Sequence, residues 1–264
     1  MSRHGNKHSK GKDNAKRKWE LESELSSLLD FADMKGRPRI QLEQYATSGH
    51  LAAHVLYTIH SSFGETEGHT VLDLGCGPGC LGLGAALLGA SHVVGVDICR
   101  PALEVALKNK ASLELGNVDF IQADVLTLAE SGLLSSYNQQ IETTPSSSSS
   151  SPEQLIVRPL VKVFDIAIIN PPFGTKQKGV DMQFLRQGLQ LVRKAVYSFH
   201  KTSTRAHIEK VSKGWGVKGE VLAELVFDLP KMYKSHRKET VDIRVDFWRF
   251  EIPPGHVLKS TTKR

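Results

Sequence analysis

Val71-Leu72-Asp73-Leu74-Gly75-Cys76-Gly77-Pro78-Gly79 constrains the fold more than any other stretch. An apolar run of strand character breaks into glycine at alternate positions. Glycine permits the positive backbone angles of a tight turn and lets a ligand approach bare main chain. The same run opens a window from Leu74 to Val96 with no Asp, Glu, Lys or Arg over 23 positions, long enough to suggest a membrane span. Its seven glycines, with Pro78 and His92, predict strand, loop, helix and strand instead. The N-terminus has no apolar signal-peptide core, so no membrane association is expected. Three cysteines give an odd count and no disulfide framework, as suits a reducing compartment.

Alternating elements continue on both sides of this loop. Ser48 caps a predicted helix to about Ser62, with Leu51, Val55 and Ile59 on one face. Pro101 suits the first turn of a helix to about Leu115. Strands are predicted at Thr70–Leu74, His92–Val96, Val118–Ala123, Val163–Ile169 and Ala195–Phe199, and helices at Leu81–Leu88, Asp181–Arg193 and Ser203–Lys213. The run from Val221 to Leu229 alternates with Glu224 and Asp228, and the run from Val241 to Phe247 with Asp242, Arg244 and Asp246. These two predict an antiparallel pair. The whole reads as an α/β fold, a doubly wound sheet that is mostly parallel with one antiparallel strand.

Charge divides the chain. Residues 1–18 hold seven Lys/Arg and one Asp, a balance of +6, and predict a disordered basic tail. Residues 19–130 hold six basic and 15 acidic groups, while 193–249 hold 13 basic and seven acidic. A polyanion would meet the second half and the tail. A serine-rich stretch at about 135–158 predicts a flexible insertion within one domain spanning 19–250, followed by a C-terminal tail at 251–264.

Asp97 ends the second strand, 22 residues after Gly75, and can accept hydrogen bonds from ribose hydroxyls. Asp124 ends the third strand at the same edge. A dinucleotide site is a rival, because Gly77, Gly79 and Gly82 match G-x-G-x-x-G. Cys76 and Cys80 have metal-like spacing, but no second cysteine pair completes a zinc site. The most informative stretch is Ile168-Ile169-Asn170-Pro171-Pro172-Phe173-Gly174. Pro171 and Pro172 stiffen the turn. The Asn170 amide oxygen and the Pro171 carbonyl could take both hydrogens of a planar exocyclic amine, with Phe173 stacked on the base. Holding that nitrogen in line with a methyl-sulfonium is what methyl transfer requires.

These residues resemble a class I S-adenosylmethionine-dependent methyltransferase. The resemblance is closer still to the eukaryotic small-subunit (18S) rRNA N6-adenine methyltransferases, through Leu42-Glu43-Gln44-Tyr45, Leu56-Tyr57-Thr58-Ile59-His60, Asn170 to Lys176, Ala195-Val196-Tyr197-Ser198, Ser203-Thr204-Arg205 and Val241-Asp242-Ile243. It implies a seven-stranded Rossmann-like sheet and S-adenosyl-L-methionine as cofactor, held by Gln44, Thr47, Gly75, Gly77, Pro78, Cys80, Asp97, Asp124 and Val125. It implies adenine in ribosomal RNA as substrate, held by Asn170, Pro171, Pro172 and Phe173. It also implies heterodimerisation with a small zinc-binding activator subunit, and residence in the nucleus, including the nucleolus, and the cytoplasm. Ala46 and Cys80 depart from the family pattern. Protein glutamine amide methylation and a non-catalytic RNA-binding scaffold are the alternatives.

The strand ending at Leu229 should emit its following loop beside the site. Lys231, Lys234, Arg237 and Lys238 in that loop, with Lys176 and Lys178 past the catalytic turn, form the expected RNA-binding rim. Val118 to Ala123 is expected at the sheet edge, with Phe120 and Ile121 available to a partner strand.

Overall fold

The computed structural model describes residues 17–35, 42–44, 47–131, 162–230, 240–256 and 258. Seven strands form one sheet in the order β3-β2-β1-β4-β5-β7-β6. They are β1 (Thr70–Leu74), β2 (His92–Asp97), β3 (Val118–Gln122), β4 (Phe164–Ile169), β5 (Val192–Lys201), β6 (Lys218–Pro230) and β7 (Thr240–Glu251). β1 to β5 pair in parallel, and β7 runs against both its neighbours, β5 and β6. Strand order reverses between β1 and β4, which opens a crevice at their carboxyl ends, where such sheets bind ligands.

Each strand serves two cores because successive side chains point to opposite faces. Val71, Ile166, Ile168, Tyr197 and Phe199 fill one core beneath α1 (17–26), α2 (Gly49–Thr58) and α3 (Cys80–Leu87). Leu72, Leu74, Ala167, Ile169 and Trp248 fill the other, against α5 (Leu128–Ser131), α6 (Val180–Leu191) and α7 (Arg205–Gly214). Between them in sequence, α4 (Arg100–Ser112) packs against β2 and β3. The Ser48 side chain accepts the Leu51 N–H, as expected of a cap. The helix it starts ends in a π-helical turn, Ile59–Phe63, closed by Gly64 at φ 65°. No described helix is long and apolar enough to cross a membrane.

Several expectations need revision. The tail boundary at residue 18 falls inside α1, which starts at residue 17 and buries Leu21 and Leu25. Packing continues past residue 250, since Ile252 is buried and the His256 ring meets the Trp215 carbonyl oxygen at 3.0 Å. Asp246, one of the polar residues that alternate along the Val241–Phe247 run, is fully buried. β7 is an interior strand, and Arg205 donates to Asp246 through Nε and Nη2, at 2.6 Å each, with Thr202 adding a third bond. The ion pair holds the Asp246 carboxyl below its usual range despite its burial. β3 is an edge strand with β2 as its partner. Phe120, however, turns inward: a Cβ at Gly95 would lie 2.6 Å from its ring. The open edge is therefore main chain rather than exposed aromatic surface. β6 runs in the direction of β1, but its sheet neighbour is the antiparallel β7. The basic tail residues 1–16, the serine-rich insertion and the loop with Lys231, Lys234, Arg237 and Lys238 lie outside the described residues.

Candidate active site

A cleft with about 1170 Å³ of empty space, part of it open to solvent, lies over the carboxyl ends of β1 to β4. Gln44, Thr47, Gly75, Pro78, Cys80, Asp97, Asp124, Val125, Asn170 and Pro172 line it, as the sequence reading expected. These residues come from five segments that only the sheet topology brings together. Leu29, Asp30, Phe31, Asp73, Ile98 and Phe184 also line the cleft and were missed. Phe31 follows Asp30, whose carboxyl caps the single turn Phe31–Asp33, a signal the sequence did carry.

The glycine loop is closed on itself. The Gly75 and Cys76 N–H groups both donate to the Val96 carbonyl, Gly77 to Asp97 Oδ2 at 2.8 Å, and Gly79 to the Cys76 carbonyl. Pro78 has no N–H to offer. Among the described residues the cleft lining carries five carboxyls, on Asp30, Glu43, Asp73, Asp97 and Asp124, and no Lys, Arg or His. A pyrophosphate would find the glycine-loop N–H groups already spent and carboxyls in the wall, which weakens the dinucleotide reading. The arrangement suits a nucleoside with positive charge. Gly75 stands at φ 73°, and a Cβ there would come within 3.1 Å of the Phe184 ring, so bare backbone forms this part of the wall.

Asp97 does more than the sequence predicts. Its carboxyl accepts Gly77 N–H through Oδ2 and Cys99 N–H through Oδ1, so it braces the loop as well as facing the cleft. Burial raises its pKa against the pull of those bonds. Asp124 caps the turn Val125–Thr127 by accepting the Leu126 N–H. Gly77 does not line the cleft; the Phe31 ring covers it, 2.6 Å from where a Cβ would sit. Burial pushes the Cys80 thiol up to about 12 and that of Cys76 well above its usual value, which suits small wall residues rather than thiolate ligands.

The Asn-Pro-Pro-Phe turn follows β4 directly. Asn170 Nδ2 donates to Thr47 Oγ1 at 2.9 Å. Its amide nitrogen is thereby committed to the wall, and its oxygen remains as the acceptor toward the cleft. Thr47 was expected to touch cofactor; its observed bond orients Asn170. Phe173 departs from its expected role. It is 5% exposed and packs edge-on against Phe227, with ring centroids 5.8 Å apart, so it supports the turn from within the core rather than facing the cleft. Pro171 is also buried, and Lys176 and Lys178 are exposed on the rim.

The chain matches the Methyltransferase domain family over residues 65–144. It is 46% identical over 228 residues to the rRNA N(6)-adenosine-methyltransferase METTL5 of Danio rerio, covering 86% of this chain and 97% of that one. It is 41% identical to the Drosophila melanogaster rRNA N(6)-adenosine-methyltransferase Mettl5, over 86% of this chain and 95% of the relative. The crystal structure of Pyrococcus horikoshii PH1948 superposes with a TM-score of 0.65 at 32% identity, covering 89% of this chain and 97% of that one. The seven-stranded sheet, the acid-lined cleft and this near full-length similarity place the chain in the rRNA N(6)-adenosine-methyltransferase family.

Proposed function

We propose that the protein transfers a methyl group from S-adenosyl-L-methionine to the N6 amino group of an adenosine in ribosomal RNA. The observation that carries this reading is the Asn170–Thr47 hydrogen bond, which fixes the amide with its oxygen as acceptor. Asn170 Oδ1 and the Pro171 carbonyl would take the two N–H bonds of the target amine. That orientation turns the nitrogen lone pair along the cleft. When bound, S-adenosylmethionine would supply an activated methyl group and leave as S-adenosylhomocysteine, while the methylated nitrogen, made strongly acidic, would release one N–H proton to water, so the site needs no strong base. Asp97 and Asp124 would accept from the nucleoside end of the cofactor, and Gly75 would pass beneath it. Pro172 and Phe184 line the cleft and would form apolar wall beside the reacting nitrogen, limiting water there. The adenine must leave its stack to reach Asn170.

The exposed Lys176 and Lys178, and the basic residues Lys231, Lys234, Arg237 and Lys238, would meet phosphates around it. A small zinc-binding activator subunit would add a strand to the open edge of β3, near the exposed Leu107 of α4. The protein would act in the nucleus, including the nucleolus, and the cytoplasm.

The test is labelled methyl transfer to ribosomal RNA followed by nucleoside analysis. N6-methyladenosine should form, and Asn170→Ala should lower turnover by roughly 10²–10³-fold while cofactor affinity holds. Label appearing on protein glutamine, or an Asn170→Ala enzyme of normal rate, would overturn the reading.

A further inference from the structure

Glu43 has features that no role described above uses. It is one of two described non-glycine residues with positive φ, at 47°. Such backbone is unfavourable for a side-chain-bearing residue and persists where the surroundings over-determine it, often at ligand clamps. The residue is 5% exposed and lines the cleft. Its Oε1 accepts the backbone N–H of Lys176 at 2.7 Å, three residues beyond the catalytic turn. Its Oε2 is buried and has no hydrogen-bond partner among the described residues. A buried carboxyl oxygen left without a donor is costly, and a polar atom in that state at a cleft wall points to a ligand.

Charge and topology say which part of the ligand it meets. Among the described residues the cleft lining offers no cation beside its carboxyls, which favours a ligand that brings a positive group. On the reading proposed above, the sulfonium bears three arms. Its methyl faces Asn170 at the end of β4. Its ribose lies toward Asp97 and Asp124, at the ends of β2 and β3. The rest of the wall comes mainly from residues within 25–31 and 42–49, and within the second stretch Glu43 carries the unmatched carboxyl oxygen toward which the amino-acid arm would run. We propose that Glu43 Oε2 accepts the α-ammonium group of S-adenosylmethionine. Because Oε1 of the same carboxyl holds Lys176 N–H, occupancy of the cofactor arm is tied to the segment that follows the Asn-Pro-Pro-Phe turn. Glu43 is then both a cofactor ligand and a positioning residue for the loop beside the target base.

The experiment uses the full chain and calorimetric titration with three ligands, S-adenosylhomocysteine, its des-amino analogue and 5′-methylthioadenosine, on wild type and Glu43→Gln. Glutamine keeps an oxygen for Lys176 N–H but cannot pair as strongly with an ammonium. Glu43→Gln should weaken S-adenosylhomocysteine binding by roughly 10–100-fold, the scale of one charge-assisted bond. It should leave 5′-methylthioadenosine, which lacks the arm, within about twofold, which also shows that the variant is folded. Deamination should cost the wild type a similar factor and cost Glu43→Gln almost nothing. Equal weakening of all three ligands would show that Glu43 only braces the loop. Unchanged S-adenosylhomocysteine affinity with a raised KM for RNA would assign Oε2 to a target hydroxyl. Either result overturns the proposal while leaving the methyltransferase reading intact. A wild type that binds none of the three ligands would remove both.

Discussion

Replacing Asp73 by Asn should abolish a pH dependence of stability that this one side chain creates. Asp73 lies within β1, is 1% exposed, and its Oδ2 accepts the Gly82 N–H at 2.8 Å. Burial pushes its carboxyl up to about 7, against the Gly82 bond, and the nearby Asp97 charge adds to the rise. In an unfolded chain the same group titrates near about 3.9. Between these values the native protein holds a proton that the unfolded chain has released. Stability from this group is therefore greatest at low pH and declines as pH rises toward 7. The full difference is about three pH units, or about 4 kcal/mol at 1.36 kcal/mol per unit. From about pH 4.5 to 7.5 the two-state expression gives about 3 kcal/mol. Asn keeps an oxygen for Gly82 and does not titrate. Urea unfolding across that range should show the wild type losing about 3 kcal/mol relative to Asp73→Asn. The comparison cancels the opposing contributions of Asp165, Asp181 and Asp246, whose pKa values are lowered in the fold. Parallel pH profiles for the two proteins would refute the buried-proton account.

Thr47→Val keeps the shape of the side chain and removes the acceptor for Asn170 Nδ2. Turnover should drop by roughly 2–10-fold with little change in KM for the methyl donor, and Thr47→Ser should restore it; a KM effect alone would make Thr47 a cofactor contact instead. Charge reversal at Lys234 and Lys238 should flatten the salt dependence of RNA binding by up to about one slope unit per lost phosphate contact. Binding isotherms at several salt concentrations decide this, and unchanged slopes would place the RNA elsewhere.

Much of the fold was legible because its signals are local. β1, β2 and β4 are short apolar runs between glycine, proline and polar punctuation, and the structure places them within a residue or two of expectation. Asn170, Asp97 and Asp124 could be found because each ends or follows a strand, and topology alone brings strand ends to one edge. What stayed hidden depends on packing partners distant in sequence. Phe173 reads as a stacking ring until Phe227, from β6, is seen to cover it. Asp246 reads as a surface residue until Arg205, 41 positions earlier, reaches it. Helix α1 was overlooked because its few apolar residues are surrounded by charge, and only Leu21 and Leu25 anchor it. Glu43 lies in a stretch that carries the family resemblance, but nothing there set it apart from its neighbours, since its backbone angle and unmatched oxygen exist only in three dimensions.

The connection between α5 and β4 has a practical use. It leaves the described residues at Ser131 and rejoins them at Lys162, two residues before the amino end of β4. The cleft lies at the opposite, carboxyl end of β4, so length added next to Lys162 enters the fold away from Asn170. Loop-closure entropy grows slowly, and doubling such a segment costs only about 0.6 kcal/mol. An affinity tag, a fluorescent domain or a protease site spliced between residues 131 and 162 should therefore leave methyl transfer running. The same splice between Gly174 and Gly179 would fall directly behind the catalytic turn, in the segment that Glu43 holds through Lys176.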